Sequence, residues 1–157
     1  MGVMGGNKWF SADYSTSRHR FLKLAEAAGA SLESLPIPGQ APDGDPLAID
    51  VAWLGPRGAR RAVVVSSGTH GIEGFMGAAV QLALLDELPA LPDDVALVLV
   101  HAINPYGFAH VRRVDGQNID LNRNFLRPGE TWTGAPDGYA ELDALLNPRT
   151  APGLGSR

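Results

Sequence analysis

The chain has 157 residues, 45% of them hydrophobic, and a formal net charge of −4. That is long and apolar enough for one domain with its own core, and no long basic run suits a nucleic acid or an anionic membrane. Cysteine is absent, which excludes disulfides and thiolate metal sites and fits a reducing compartment.

Residues 1–10 carry no apolar stretch of signal-peptide length. Gly6 stands where a myristoylation signal needs Ser or Thr. The longest apolar run, around Val95–Val100, is far too short for a bilayer. The expectation is a cytoplasmic protein with no membrane or nucleic-acid partner.

Phe21, Leu24, Ala25 and Ala28 form one face of a helix, with Ser15, Thr16 or Ser17 as its N-cap and Gly29 as its stop. His19 belongs to the surface. Pro and Gly mark a loop from Pro36 to Pro46. Leu47–Leu54 alternates as a strand, Gly55–Gly58 is turn chemistry, and Val63-Val64-Val65 is a β-branched run that reads as a buried, central strand. The short connection predicts that these two strands pair antiparallel. An apolar helix follows from about Gly74 to Leu88 and ends before Pro89. Leu91–Asp94 is a loop and Val95–Val100 a third strand, so strand, helix and strand form a right-handed βαβ unit. Asn104-Pro105-Tyr106-Gly107 is a turn signal. Arg112, Arg113 and the stretch Asn118–Phe125 read as a polar loop lining a site. Glu141–Leu146 is a short helix, and about residues 147–157 form a disordered tail.

The chemistry gathers at Ser66-Ser67-Gly68-Thr69-His70-Gly71-Ile72-Glu73. An imidazole and a carboxylate three residues apart follow the carboxyl end of a strand, where open α/β sheets place ligands. Both are zinc donors, and a catalytic zinc takes three protein ligands plus water. The spacing alone is common in surface His and Glu pairs; its setting and a second motif give it weight. His101 closes a strand and reads as structural. His110 lies near the arginines, Arg112 is as well suited to the surface as to a site, and Asn118 and Asn124 hold the loop backbone. An oxyanion loop of a serine hydrolase is disfavoured because no Gly-x-Ser-x-Gly elbow exists.

His70-Gly71-Ile72-Glu73 closely resembles the zinc-binding His-x-x-Glu of the zinc carboxypeptidase family. Asn104-Pro105-x-Gly107, Arg113 and Asp120-Leu121-Asn122-Arg123-Asn124-Phe125 resemble that family's second block. The wording Ser-Gly-Thr-His-Gly-Ile-Glu-Gly-Phe is similar to a bacterial branch of unassigned function, grouped near the succinylglutamate desuccinylase and aspartoacylase relatives. The resemblance runs from about residue 12 to 150. It implies an α/β fold, a mixed β-sheet flanked by helices. It implies that His70 and Glu73 bind zinc and that Asp120 orients the ligand imidazole. Arg113 would polarise the scissile carbonyl, and Asn122 and Arg123 would hold a terminal carboxylate. The implied reaction is hydrolysis, by zinc-activated water, of an amide next to a free carboxylate in a small peptide or N-acyl amino acid.

The family takes a third zinc ligand, a His, and a general base, a Glu, from farther downstream. After Phe125 this sequence has no His, and only Glu130 and Glu141. The expectation is therefore the N-terminal part of a single catalytic domain, a partial sheet lacking its C-terminal strands and with doubtful activity of its own. Its unpaired sheet edge predicts self-association. The alternative is a non-catalytic carboxylate-binding remnant or pseudoenzyme.

Overall fold

A computed structural model describes residues 7–146 except 132, 133 and 136; the tail expected at 147–157 lies outside the described residues. The chain divides into two compact units, the first ending at Asn124 and the second starting at Phe125. The second contains one described helix, α4 (Tyr139–Leu146).

In the first unit, helix α1 (Tyr14–Ala27) is capped by Asp13, whose carboxylate accepts the Thr16 N–H at 2.7 Å. The cap is thus Asp13 and not Ser15, Thr16 or Ser17: a carboxylate satisfies an orphan N–H as well as a hydroxyl does. Four strands follow, β1 (Ser31–Gln40), β2 (Pro46–Leu54), β3 (Arg61–Ser66) and β4 (Val95–His101), with α2 (Gly74–Asp86) between the last two and α3 (Pro105–Ala109) after them. The sheet is mixed, in the order β1-β2-β4-β3. β1 and β4 each pair antiparallel with β2, and β3 runs parallel to β4. The mixed sheet flanked by helices and the parallel β3-α2-β4 unit agree with the sequence reading.

Three expectations are corrected. β2 and β3 do not pair; β4 lies between them. Ala96 to Leu99 of β4 are all buried, whereas β3 is mostly exposed, so the most apolar strand takes the interior position. The link from β2 crosses the start of β4 at Gly55, where φ is 90° and an added Cβ would stand 2.7 Å from the Val95 carbonyl oxygen. Among the described residues the Val63 strand therefore lies at the edge of the sheet and is mostly exposed, neither central nor buried. Finally, the segment expected as a loop from Pro36 continues β1 to Gln40. Pro36 and Pro38 are tolerated because β1 is the other edge, where a missing N–H breaks no ladder, and the register shifts between Pro36 and Gln40.

Helices α1 and α2 enclose one core with the sheet. Phe21 and Ala25 of α1 pack with Leu82 and Leu85 of α2 over Ala52, Leu54, Leu97 and Leu99. Each large side chain here contributes about 1.5–3 kcal/mol by leaving water. A second cluster joins Tyr14, Ala78, Ala102 and Phe108. The Tyr14 hydroxyl donates to the Ala48 carbonyl and accepts from its N–H, each at 2.9 Å. Arg18 fixes α1 to β2 through two bonds to the fully buried Asp50, at 2.7 and 3.1 Å.

Candidate functional site

The parallel pairing brings the carboxyl ends of β3 and β4 together, and backbone bonds continue past them. The Ile103 and Asn104 N–H groups donate to the carbonyls of Ser67 and Gly68, both at 2.9 Å. Gln81 of α2 clamps the same place. Its amide N–H groups donate to Val65 O at 2.9 Å and Val100 O at 3.0 Å, and its oxygen accepts the Ser67 hydroxyl at 3.0 Å. Sequence reasoning passed over Gln81. The available signal was a lone amide inside the apolar run of α2.

Beyond the strand ends, Gly71–Glu73 make one turn of 3₁₀ helix ahead of α2. Backbone lies directly on backbone here: a Cβ on Gly71 would stand 1.9 Å from the Gly107 carbonyl carbon, so no other residue fits. The approach lets the segment after α3 cross the His70 loop. Ile72 N–H donates to Arg112 O at 3.1 Å and Gly71 N–H to Arg113 O at 3.4 Å. Asn104 supports that segment, accepting the Gly107 N–H at 2.8 Å and donating to Arg113 O at 3.4 Å.

His70, 90% buried along its side chain, has Glu73 Oε1 at 3.1 Å from Nδ1 and Asp120 Oδ1 at 3.2 Å from Nε2. Asp120 also accepts Arg113 Nε at 2.9 Å and the Asn122 N–H at 2.9 Å. Burial opposes its ionisation, but the Arg113 hydrogen bond, the Asn122 N–H and the nearby positive charge outweigh it and lower its pKa. Arg113 is half exposed, and its Nη groups make no hydrogen bond among the described residues. Asn122 and Arg123 are exposed on the same loop, where Arg123 Nη1 donates to the Asn122 carbonyl at 3.0 Å.

The donors can be tested against a metal. A neutral imidazole has one N–H. If Asp120 takes it, the Nδ1 lone pair faces a carboxylate oxygen with nothing positive between them. Their 3.1 Å separation is close to the roughly 3.3 Å between N and O ligands of tetrahedral zinc. Two coordination positions are thus suited to a cation; among the described residues no group of three His, Cys, Asp or Glu side chains is arranged to hold one.

The other imidazoles lie elsewhere. His101 is fully buried, 3.0 Å from the Ser17 hydroxyl through Nε2 and stacked on Phe21 at 4.9 Å. Burial lowers its pKa to about 4, with Asp50 partly opposing. His110 donates to the Gln40 carbonyl at 2.9 Å and packs on Tyr106. His19 is exposed. Arg112 donates to the Asn118 side chain at 3.1 Å, so the neighbouring arginines have different partners.

A family model described as a protein of unknown function (DUF2817) matches residues 10–155. No curated protein matches the sequence. A candidate metallopeptidase from Shewanella amazonensis is 24% identical, with a TM-score of 0.51 over 85% of this chain and 51% of that one. A metallo-carboxypeptidase from Burkholderia cenocepacia is 22% identical, with a TM-score of 0.50 over 76% of this chain and 35% of that one. A glutaminyl cyclase from Macrostomum lignano is 19% identical, with a TM-score of 0.43 over 61% of this chain and 33% of that one, too distant to bear on function. The likeness to the first two is one of fold. The chain spans between a third and about half of the length of these structures.

Proposed function

The chain belongs to the DUF2817 family, and on that premise we propose that it carries the metal- and carboxylate-binding part of a zinc-dependent hydrolase of carboxypeptidase or amide-deacylase type. The supporting observation is the double hold on His70: Asp120 at Nε2, Glu73 opposite Nδ1. His70 and Glu73 would hold the zinc, which when bound supplies a Lewis acid and an activated water. Asp120 keeps the imidazole in the tautomer that leaves Nδ1 free. Arg113, fixed through Nε by Asp120, offers its remaining N–H groups to a carbonyl oxygen gaining negative charge. Arg123 and Asn122 take the substrate's free carboxylate, for which a guanidinium is geometrically suited. The substrates are small peptides or N-acyl amino acids.

Calorimetry with N-acetyl amino acids and their methyl esters tests this reading. The free acids bind and the esters do not. Arg123→Ala weakens the acids by about 1.5–3 kcal/mol, roughly ten- to hundredfold. Equal binding of acids and esters removes the carboxylate role. Acid binding that is indifferent to zinc and to His70→Ala favours a carboxylate-binding module without metal chemistry.

A further inference from the structure

We propose that Gln81 is a positioning residue for the site: one buried amide of α2 aligns the arm that carries His70 with the arm that carries Arg113 and Asp120. What the aligned site does rests on the function proposed above; the alignment itself does not.

Two arms leave the sheet side by side. β3 continues through Ser67 and Gly68 to His70, and β4 continues through Asn104 and α3 to Arg113 and Asp120. They meet again where Asp120 Oδ1 stands 3.2 Å from His70 Nε2. Their relative placement is set at the fork, where α2 lies directly on the His70 arm. A Cβ on Gly77 would stand 2.8 Å from Ser67 Cβ, and one on Gly68 3.5 Å from Gly74 Cα. Gly74, Gly77 and Gln81 are spaced by three and then four residues, so they share one face of the helix. The glycines allow the close approach, but they offer no side chain that resists sliding or rotation. Gln81 supplies the directional contacts on that face.

Gln81 is fully buried, and its amide is satisfied in one orientation. Its two N–H groups go to one carbonyl from each strand, Val65 of β3 and Val100 of β4, and its oxygen takes the Ser67 hydroxyl. Turned over, the amide would set its oxygen against two carbonyl oxygens. The Val100 carbonyl also accepts the Ser67 N–H at 3.0 Å, so the helix and both arms converge on one atom. From there the bonded path continues. The Ser67 and Gly68 carbonyls hold the Ile103 and Asn104 N–H groups, and the Asn104 side chain holds the Arg113 carbonyl. A residue that merely filled the core here would be apolar, like Leu82 and Leu85 on the same helix.

Long-range proton–nitrogen spectra of the His70 ring in the metal-free chain test this, together with zinc affinity measured by competition against a chromogenic chelator. Gln81→Leu removes the three bonds; should it not fold, the longer Gln81→Met takes its place. The two ring nitrogens of His70 then shift toward the mean of the two tautomers as the Asp120 contact loosens. Zinc binding weakens about tenfold, the lower end of what losing a ligand's support costs. Leu85→Val lowers stability from the same helix without touching the strand ends, and leaves both readings unchanged. Gln81 variants with an unaltered His70 ring, or a Leu85→Val chain altered as much as they are, overturn the proposal. An unsubstituted chain that binds no zinc defeats the functional reading alone, and the ring shifts of the metal-free protein still decide for or against Gln81.

Discussion

His70 has a carboxylate at both ends of its ring, and if Asp120, fifty residues away, takes the ring N–H, Nδ1 is left free. Asp120→Ala removes that partner and frees both the Arg113 side chain and the Asn122 N–H. It is expected to weaken zinc binding about 10–100-fold, the usual effect of losing a ligand's outer partner, measured by competition with a chromogenic chelator; an unchanged affinity would separate Asp120 from the metal. The members of this group were picked out in the sequence by the resemblance of two separated motifs to a known family, not by residue type alone, and the fold brings His70, Glu73, Arg113 and Asp120 together. What Arg112 and Arg113 each touch was not legible. One meets Asn118 and the other Asp120, a difference decided by the path of a loop without periodicity. Gln81 was illegible for another reason: two of its partners are main-chain carbonyls, which leave no mark in a sequence.

Among the elements, α1 and β2 were readable because their apolar positions recur at the period of the structure they form, and α2 and β4 because they are unbroken apolar runs of helix and strand length bounded by Pro89 and the loop at 91–94. β1 was missed because it is exposed almost throughout and so lacks alternation. The neighbours of β3 were misjudged because connection length says little once a third strand can enter between two others. Gln81 shows how α2 and the strand ends depend on each other. Gln81→Leu removes two bonds to carbonyls and leaves the buried Ser67 hydroxyl without its acceptor. Urea denaturation should show a loss of about 1–3 kcal/mol. A neutral result would mean that the strand ends hold without the clamp.

For the molecule as a whole, His101 makes stability depend on pH. It faces the Asp50 and Arg18 pair, with Tyr14 and Phe21 against its ring. Its folded pKa of about 4 lies below the 6.5 of an unfolded histidine. Above pH 6.5 both states are neutral there and its contribution is fully present. As pH falls toward 4, only the unfolded state gains the proton, and stability declines by up to about 1.4 kcal/mol per pH unit, about 3 kcal/mol in total. Denaturation series at pH 7, 6, 5 and 4 should follow that slope, and His101→Gln should flatten it; an unchanged slope would assign the effect to other groups. The contact of Gly71 with Gly107 has a different bearing, on what lengths the chain can take. It closes a loop containing α2, β4 and the connection between them at residues 87–94. The entropy of closing a loop grows only with the logarithm of its length, about 0.6 kcal/mol for a doubling. Extra residues in that connection would therefore barely tax the junction, while one methyl group at Gly71 would force it apart. The surroundings of the site can vary in length far more freely than the seam itself can vary in composition.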